Sequence, residues 1–253
     1  MKVETLIARN PGPYTLDGTR TYLLNDVAVL DPGPALDDHI EAILTALPRM
    51  EAIFVTHRHG DHAGAVERLH RRTGAPVYAP AGVLTEVSAH RPVEHGDTLP
   101  VGDGSLEAIT TPGHTSEHIC YLAEDGSLFT GDTILGEGTT TIFPPDGDMG
   151  DYLESLRKLR DRQPARIYPG HGQVREDAVA LIDEYIAHRE MREDQIVAAL
   201  GEGAASPREL RQRIYPDLPP ALHDAAEMQM QAHLDLLIRK KKVAAEGDRF
   251  SLS

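Results

Sequence analysis

A short segment rich in histidine and aspartate is the part of this sequence best suited to chemistry. It reads Thr56-His57-Arg58-His59-Gly60-Asp61-His62. The apolar run before it, residues 52–55, predicts a β-strand, and His57 and His59 continue its period of two, so they project to the same side and can share an ion. A glycine turn then re-aims Asp61 and His62. Nitrogen and carboxylate oxygen without thiolate suit zinc, iron or manganese.

The four candidate ligands of this segment lie too close together in the sequence to bind one tetrahedral ion without strain. This implies two adjacent ions, and therefore further ligands elsewhere in the chain. Three candidates follow β-rich runs and lie in turns rich in glycine or proline, which let side chains from different strands converge on one edge. They are His114 in Thr111-Pro112-Gly113-His114-Thr115, Asp132 in Thr130-Gly131-Asp132-Thr133, and His171 in Pro169-Gly170-His171-Gly172. The sequence therefore predicts a site for two divalent metal ions.

The elements that must position these residues are short. Through the first part of the chain, β-rich runs alternate with turns, and only a few stretches with apolar spacing near 3.6 interrupt them. The runs are residues 21–24, 27–30, 52–55, 77–79, 106–109, 119–122, 127–130 and 167–168. The helical stretches are residues 37–47, 63–73 and 152–160. This alternation predicts an α/β layered sandwich with helices outside the sheets.

The periodicity changes after the last of these runs. Residues 177–200 carry apolar side chains at mixed three- and four-residue steps, as expected for a long amphipathic helix. Ser206-Pro207-Arg208-Glu209 is a capping box with proline at the first helical position, so a helix should begin there. Another helix opening at Pro219 and a hairpin over residues 243–252 complete the order of a winged-helix unit.

We therefore predict a catalytic domain over residues 1–187 and a winged-helix-like unit over residues 188–253. The helix after Pro219 carries acidic and amide side chains and places basic ones only at its end, which does not suit a helix that reads DNA. We expect the C-terminal unit to act in homodimer formation or in closing the cleft.

Composition excludes several classes of protein. The net charge is −15, which discourages non-specific binding to nucleic acid and offers no polybasic signal for a membrane. No apolar run approaches the roughly 20 residues that span a bilayer, and the first nine residues read as a strand rather than a signal peptide. The single cysteine, Cys120, suits a reducing compartment and excludes a cysteine-rich metal site. These features predict a cytoplasmic protein without a membrane partner.

The seven candidate ligands together resemble those of the metallo-β-lactamase superfamily, whose αββα sandwich carries a dinuclear centre at one edge. The resemblance implies that His57, His59 and His114 hold the first ion. It implies that Asp61, His62 and His171 hold the second, and that Asp132 bridges both. It also implies zinc as the first choice of metal, with iron and manganese as alternatives. An aspartate at the bridging position, where many true lactamases have cysteine, favours the hydrolase branches over antibiotic cleavage.

Further motifs are similar to those of the lactamase-β-like protein 2 group, which has a C-terminal winged-helix unit. They are Asn10-Pro11-Gly12-Pro13-Tyr14-Thr15-Leu16, the stretch from Gly131 to Thr140, and the stretch from Tyr185 to Ile196. The similarity covers nearly the whole chain. Members of the group include an endoribonuclease that acts on single-stranded RNA, whereas many bacterial relatives are likened to glyoxalase II.

We therefore expect a dinuclear metal-dependent hydrolase in which hydroxide held by the ions attacks a phosphodiester, with single-stranded RNA as the substrate. Two ions about 3.5–4 Å apart lower the pKa of a bound water toward about 7. Asp61 and Asp132 are the expected catalytic residues, Asp61 because it can orient the hydroxide or accept its proton. One alternative is hydrolysis of a small thioester or ester of the glyoxalase II type. A second is a non-enzymatic metal protein that binds nucleic acid.

Overall fold

Two β-sheets pack face to face and enclose much of the apolar core. The structure, a computed structural model, describes residues 1–83 and 90–253. Within those residues the first sheet contains, in spatial order, β1 (Val3–Ile7), β2 (Arg20–Leu24), β3 (Ala28–Leu30), β4 (Ala52–Phe54), β5 (Val77–Pro80) and β6 (His90–Val93). The second contains, in the same range, β11 (Arg166–Pro169), β10 (Ser127–Gly131), β9 (Ile119–Ala123), β8 (Gly104–Thr110) and β7 (Thr98–Val101).

Strand direction brings several carboxyl ends to one side of each sheet. In the first sheet β3, β4, β5 and β6 pair in parallel, whereas β1, β2 and β3 pair antiparallel. In the second sheet β10 pairs in parallel with β11 and antiparallel with β9. Because β8 is also antiparallel to β9, β8, β10 and β11 run in the same direction.

The side chains of each strand alternate between two core layers, as the period of two requires. In β2, Tyr22 and Leu24 face the layer between the sheets, whereas Leu23 faces the helices on the outer side. Tyr22 meets Phe129 of the opposite sheet edge to face, with ring centroids 5.4 Å apart. The β-rich runs of the sequence carry apolar residues on both faces of the strand, and these residues therefore fill both core layers.

Helices cover the outer faces of both sheets. The first sheet is covered by α1 (Asp37–Ala46), α2 (Gly60–Ala63) and α3 (Val66–Thr73), and the second by α4 (Met149–Asp161) and the first part of α5 (Ala178–Gly201). The order helix, sheet, sheet, helix confirms the predicted αββα sandwich.

One predicted helix is divided in the structure. The sequence predicts a helix over residues 63–73, but α2 ends at Ala63 and α3 begins at Val66. The backbone N–H of Ala65 donates to the carbonyl of Gly33, 3.0 Å away, instead of continuing the α2 ladder. A contact with a distant loop, which local periodicity does not report, therefore ends the helix.

Strands β6 and β7 were not expected from the sequence. Each contains a proline, Pro92 in β6 and Pro100 in β7, and proline weakens a strand pattern because it has no N–H to donate to a ladder. Both strands are at the edge of their sheet, which is where proline is tolerated.

The C-terminal elements follow the predicted winged-helix order. They are the second part of α5, α6 (Pro207–Ile214), a single 3₁₀ turn at Pro220–Leu222, α7 (His223–Arg239), and the hairpin of β12 (Val243–Glu246) and β13 (Arg249–Leu252). The Ser206 hydroxyl accepts from the Glu209 N–H, and the Glu209 carboxylate accepts from the Ser206 N–H, so the predicted capping box is present.

Helix α5 belongs to both parts of the chain. Its residues near Ile182 pack in the core beneath the second sheet, and those near Ile196 pack against α6 and α7. The predicted boundary between residues 187 and 188 falls inside this uninterrupted helix. Among the helices of residues 1–83 and 90–253, none has the length and apolar character needed to cross a membrane.

Candidate metal centre

The predicted ligands meet at the edge where strands β4, β8, β10 and β11 end. All of them lie in the segments that follow these strands, and their donor atoms form two adjacent groups. The first group contains His57, His59, His114 and Asp132, and the second contains Asp61, His62 and His171. Within each group the donor atoms lie within 4.8 Å of one another.

The first group directs three imidazole nitrogens and a carboxylate oxygen to a common point. His59 Nδ1 lies 2.9 Å from His57 Nε2 and 3.1 Å from His114 Nε2. Asp132 Oδ2 lies 3.6 Å from His114 Nε2 and 4.0 Å from His57 Nε2. Burial lowers the pKa of His57 well below its usual value, so this ring is neutral at pH 7 and offers a lone pair.

The second group has the same character, and Asp132 lies between the two. Asp61 Oδ2 is 3.5 Å from His62 Nε2 and 3.2 Å from His171 Nε2, and these two nitrogens are 3.3 Å apart. Asp132 Oδ1 lies 3.3 Å from each of the same two nitrogens. The Asp132 carboxylate therefore directs one oxygen toward each group, as a bridging ligand requires.

Glycines in the strand-end turns allow this close approach. A Cβ at Gly170 would lie 2.5 Å from His62 Cε1 and 2.7 Å from Asp132 Oδ1. Gly131 has a φ of +46°, and a Cβ there would lie 2.5 Å from Thr56 Oγ1. A larger residue at Gly170 would displace His62 and Asp132, and one at Gly131 would displace the side chain of Thr56, which explains why these turns contain glycine.

Asp31, at the end of β3, is a functional residue that the sequence analysis missed. Its buried carboxylate accepts from Thr56 N and Thr56 Oγ1, each at 2.8 Å, and from His62 Nδ1 at 2.9 Å. Because Thr56 Oγ1 donates its proton to Asp31, it accepts from His57 Nδ1 at 2.9 Å. Asp31 thus fixes the tautomers of His57 and His62, whose Nε2 atoms face the two groups. The available signal was an acidic residue after a strand in Leu30-Asp31-Pro32-Gly33.

His118, to which the sequence analysis assigned no chemistry, also lies at the centre. Its fully buried ring stacks on His57 with centroids 4.9 Å apart. The N–H of Asp132 donates to His118 Nε2 at 3.3 Å, and His118 Nδ1 donates to Thr111 Oγ1 at 3.0 Å. Burial lowers the pKa of His118 well below its usual value. The neutral ring therefore supports His57 and the backbone of Asp132 rather than offering a ligand.

The residues present fit a pair of divalent cations. Asp132 Oδ1 is buried and makes no hydrogen bond of normal geometry, although two imidazole nitrogens lie near it. In the first group, His57 Nδ1 and His114 Nδ1 donate away from the centre, to Thr56 Oγ1 and to the carbonyl of Thr141. Their lone pairs therefore face one point, and a cation at that point would satisfy them together with the carboxylate.

Protons occupy the second group in the metal-free protein. Burial lowers the pKa of His171, but contacts with the carboxylates of Asp132 and Asp61 outweigh burial and raise it to about 9. Burial likewise raises the pKa of Asp61, but its contacts with His171 and His62 outweigh this and lower it to about 2. Despite burial, the carboxylates of Asp132 and Asp31 also hold the pKa of His62 well above its usual value, so at neutral pH both imidazoles of the group are protonated and held by carboxylates.

Metal affinity is consequently expected to increase as the pH rises from 6.5 to 9. Below pH 9 a metal ion must displace the proton of His171 and also that of His62, whose pKa the carboxylates of Asp132 and Asp31 raise well above its usual value, so affinity should rise by about tenfold per pH unit for each proton released. Competition between the protein and a chromophoric chelator for Zn²⁺, repeated at each pH, measures the dependence. An affinity that stays constant from pH 6.5 to 9, after correction for the chelator's own protonation, would contradict it.

The open side of the two groups is a cleft of about 410 Å³. Its base is formed by the ligand candidates, and its walls come from three segments of chain. These are residues 13–16, residues 135–141 without Gly136, and Phe143. Among the residues that the structure describes, no lysine or arginine lines this cleft, and Glu137 is the one acidic lining residue outside the candidate ligands.

Comparison with known proteins gives two family matches. Residues 14–171 match the metallo-β-lactamase superfamily, and residues 206–251 match the β-lactamase-associated winged helix domain. A β-lactamase-like protein 2 homolog from Caenorhabditis elegans is 38% identical over 239 residues, which span 88% of this chain and 80% of that protein. The atrochrysone carboxyl ACP thioesterase AgnL7 of Paecilomyces divaricatus is 35% identical over 209 residues, spanning 79% of this chain and 64% of that protein.

Among solved structures, a β-lactamase domain protein from Burkholderia ambifaria has the same fold. Its TM-score is 0.86 at 22% identity, covering 99% of this chain and 91% of that one.

Fold and site together define a metal-dependent hydrolase built on an αββα sandwich. The chain belongs to the metallo-β-lactamase superfamily. Within that superfamily it carries the associated winged helix domain and is similar to the β-lactamase-like protein 2 homologs, so the resemblance identified from its motifs is confirmed.

Proposed function

We propose that this chain hydrolyses a thioester or ester with two divalent metal ions held at the edge of the sandwich. The residues that would hold them are the seven described above. His57, His59 and His114 would hold the first ion, Asp61, His62 and His171 the second, and Asp132 both. Zinc, iron and manganese suit this nitrogen and oxygen donor set.

When bound, such a pair of ions supplies a Lewis acid for the scissile carbonyl and activates water at neutral pH. Asp61 is placed to orient that water. Its side chain is partly exposed in the cleft, and Thr19 Oγ1 donates to Asp61 Oδ2 at 3.2 Å. Asn10 Nδ2 donates to Thr19 Oγ1 at 2.9 Å and fixes the hydroxyl. With its pKa near 2, the Asp61 carboxylate stays ionised and acts as a hydrogen-bond acceptor.

The observation that carries the choice of substrate is the lining of the cleft. Tyr14, Leu16, Leu135 and Phe143 give it apolar walls, and no lysine or arginine lines it within the described residues.

Arg58, next to the candidate ligand His57, is already paired with the carboxylates of Glu117 and Asp146, both at 2.5 Å. Apolar walls suit the acyl part of a thioester or ester, whereas a phosphodiester chain would require cationic contacts along its backbone. The thioesterase among the relatives supports the same choice.

Single-stranded RNA, the first expectation from the sequence, stays a second candidate because of one feature. Tyr14 is 59% exposed at the mouth of the cleft, and its ring meets Phe143 edge to face at 6.3 Å. An exposed aromatic ring beside a cleft is the kind of platform on which an RNA base stacks, at about 1–3 kcal/mol per base.

A comparison of substrates by the metal-loaded protein separates the two candidates. We expect turnover of S-lactoylglutathione or of an acyl thioester, and intact labelled single-stranded RNA after the same incubation. If RNA is the substrate instead, Tyr14→Ala should slow its cleavage by about 5- to 150-fold, the loss of one stacked base. Asp132→Ala and chelated wild-type protein control for contaminating nuclease. Cleavage of RNA without thioester turnover would overturn the proposal.

A further inference from the structure

The segment of residues 140–142, which we call the wall segment, contacts two candidate ligands of the first group. The carbonyl of Thr141 accepts from His114 Nδ1 at 2.9 Å. The hydroxyl of Thr140 donates to the backbone carbonyl of Asp132 at 2.8 Å. The position of the wall segment therefore sets the orientation of the His114 ring and supports the turn that carries Asp132.

Side chains from the C-terminal helices hold the wall segment on both sides of Thr141. Arg189 of α5, which is 3% exposed, donates from Nη2 to the carbonyl of Thr140. Gln229 of α7 donates from Nε2 to the carbonyl of Ile142 at 3.0 Å. Arg189 Nη1 also donates to Gln229 Oε1 at 3.3 Å. The two side chains thus form one connected set of donors to the two carbonyls that flank Thr141 in the wall segment.

The rest of the environment holds Arg189 in place. Its guanidinium carbon lies 5.4 Å from the centroid of the Tyr152 ring, and the Tyr152 hydroxyl donates to the carbonyl of Thr133 at 2.7 Å. At the far end of α7, Arg239 forms a two-pronged ion pair with Asp148, the N-cap of α4, at 2.6 and 2.7 Å. Helix α7 is therefore anchored to the catalytic sandwich at two separate places.

We propose that Gln229 and Arg189 are positioning residues for His114, so that the winged-helix unit completes the first metal-binding group. The inference rests on the ligand assignment proposed above. A histidine that binds a metal through one nitrogen depends on the acceptor of its other N–H for its tautomer and ring orientation, and loss of that support costs about 10- to 100-fold in metal affinity or activity. Here that acceptor is the carbonyl of Thr141, and its position depends on a helix from another part of the chain.

Gln229→Met tests the inference, because methionine keeps the length and volume of glutamine but has no donor for Ile142. The matched control is Gln231→Met on the same helix, since Gln231 Nε2 donates to Asp235 Oδ1 at 2.7 Å and not to the wall segment. Stepwise binding of Zn²⁺ is measured by chelator competition, the absorption spectrum of bound Co²⁺ reports the ligand geometry, and kcat and KM are determined separately. Thermal unfolding checks that each variant is folded.

We expect Gln229→Met to weaken one of the two ion-binding steps by about 10-fold or more and to lower kcat with little change in KM, because the cleft walls are retained. Gln231→Met should match the wild type. If Gln229→Met does not fold, Arg189→Lys, which keeps the charge but loses the guanidinium fork, is expected to weaken the same step. Wild-type affinity for both ions and an unchanged Co²⁺ spectrum in the folded variant would overturn this inference alone, whereas a wild-type protein that binds no ions would overturn the ligand assignment on which it rests.

Discussion

Replacing Asp132 with alanine is expected to abolish hydrolysis and to leave the protein unable to hold two ions. The two oxygens of its carboxylate lie between the groups, at 3.3 Å from His62 Nε2 and 3.6 Å from His114 Nε2, and within the described residues no other carboxylate pairs with histidines of both groups. Removal of a residue that merely supports a ligand costs up to about 100-fold. We therefore expect the loss of this shared ligand to cost at least about 100-fold in kcat/KM.

The same variant should lose the stabilisation that metal provides. Ions at 100 times their dissociation constant stabilise the native state by about 2.7 kcal/mol for each site, so Zn²⁺ should raise the melting temperature of the wild type more than that of Asp132→Ala. Metal content and melting temperature, each with and without chelator, measure this. Asp161→Ala, at the exposed end of α4, is the control and should behave as the wild type. Two tightly bound ions in Asp132→Ala would show that Asp132 does not bridge them.

Replacing Asp31 with alanine is expected to lower the free energy of unfolding by about 3–5 kcal/mol, the cost of removing one partner from a buried ion pair. Asp31 is 1% exposed and His62 is fully buried, 2.9 Å away. Burial alone would lower the pKa of His62, but the carboxylates of Asp132 and Asp31 hold it well above its usual value. Without Asp31, the Nδ1–H of His62 and the N–H of Thr56 would stay buried without an acceptor. Denaturant unfolding of the metal-free protein measures the loss.

Asp31→Asn separates stability from metal binding. The amide oxygen can still accept from Thr56 N, but the amide N–H₂ cannot accept from His62 Nδ1, so the tautomer with a proton on Nε2 is favoured. That proton would point at the second group. We expect most of the stability to be retained and metal affinity to fall by about 10- to 100-fold. Asp38→Ala, at an exposed position, should change neither quantity, and an Asn variant with wild-type metal affinity would argue against the role of Asp31.

The candidate ligands could be identified from sequence because each signal is local. His57 and His59 continue the period of a strand, and His114, Asp132 and His171 lie in turns of glycine and proline after β-rich runs. Strand ends in a layered α/β fold converge on one edge, so residue type and position along each strand were sufficient to predict which side chains would meet. The winged-helix order was recognisable for the same reason, since caps and helical periodicity are encoded by neighbouring residues.

Residues that act through long-range contacts could not be identified in this way. Asp31 supports His57 and His62 from a different strand, and His118 supports His57 across the two sheets. Gln229 reaches the wall segment from 87 residues away in the sequence. Each is a single polar residue without a repeating pattern, and its role depends on a partner that only the packing of the sheets and helices brings near.

By itself, the sequence determined a layered α/β sandwich, the C-terminal winged helix and the set of side chains able to hold metal, because strand period, turn chemistry and helix caps are properties of adjacent residues; the αββα order came from the family resemblance. The tertiary structure alone decided the distances between those side chains, the tautomers that Asp31 imposes, and the apolar walls of the cleft. These depend on contacts between segments far apart in the chain, where the free energy of packing, and not local preference, selects the arrangement.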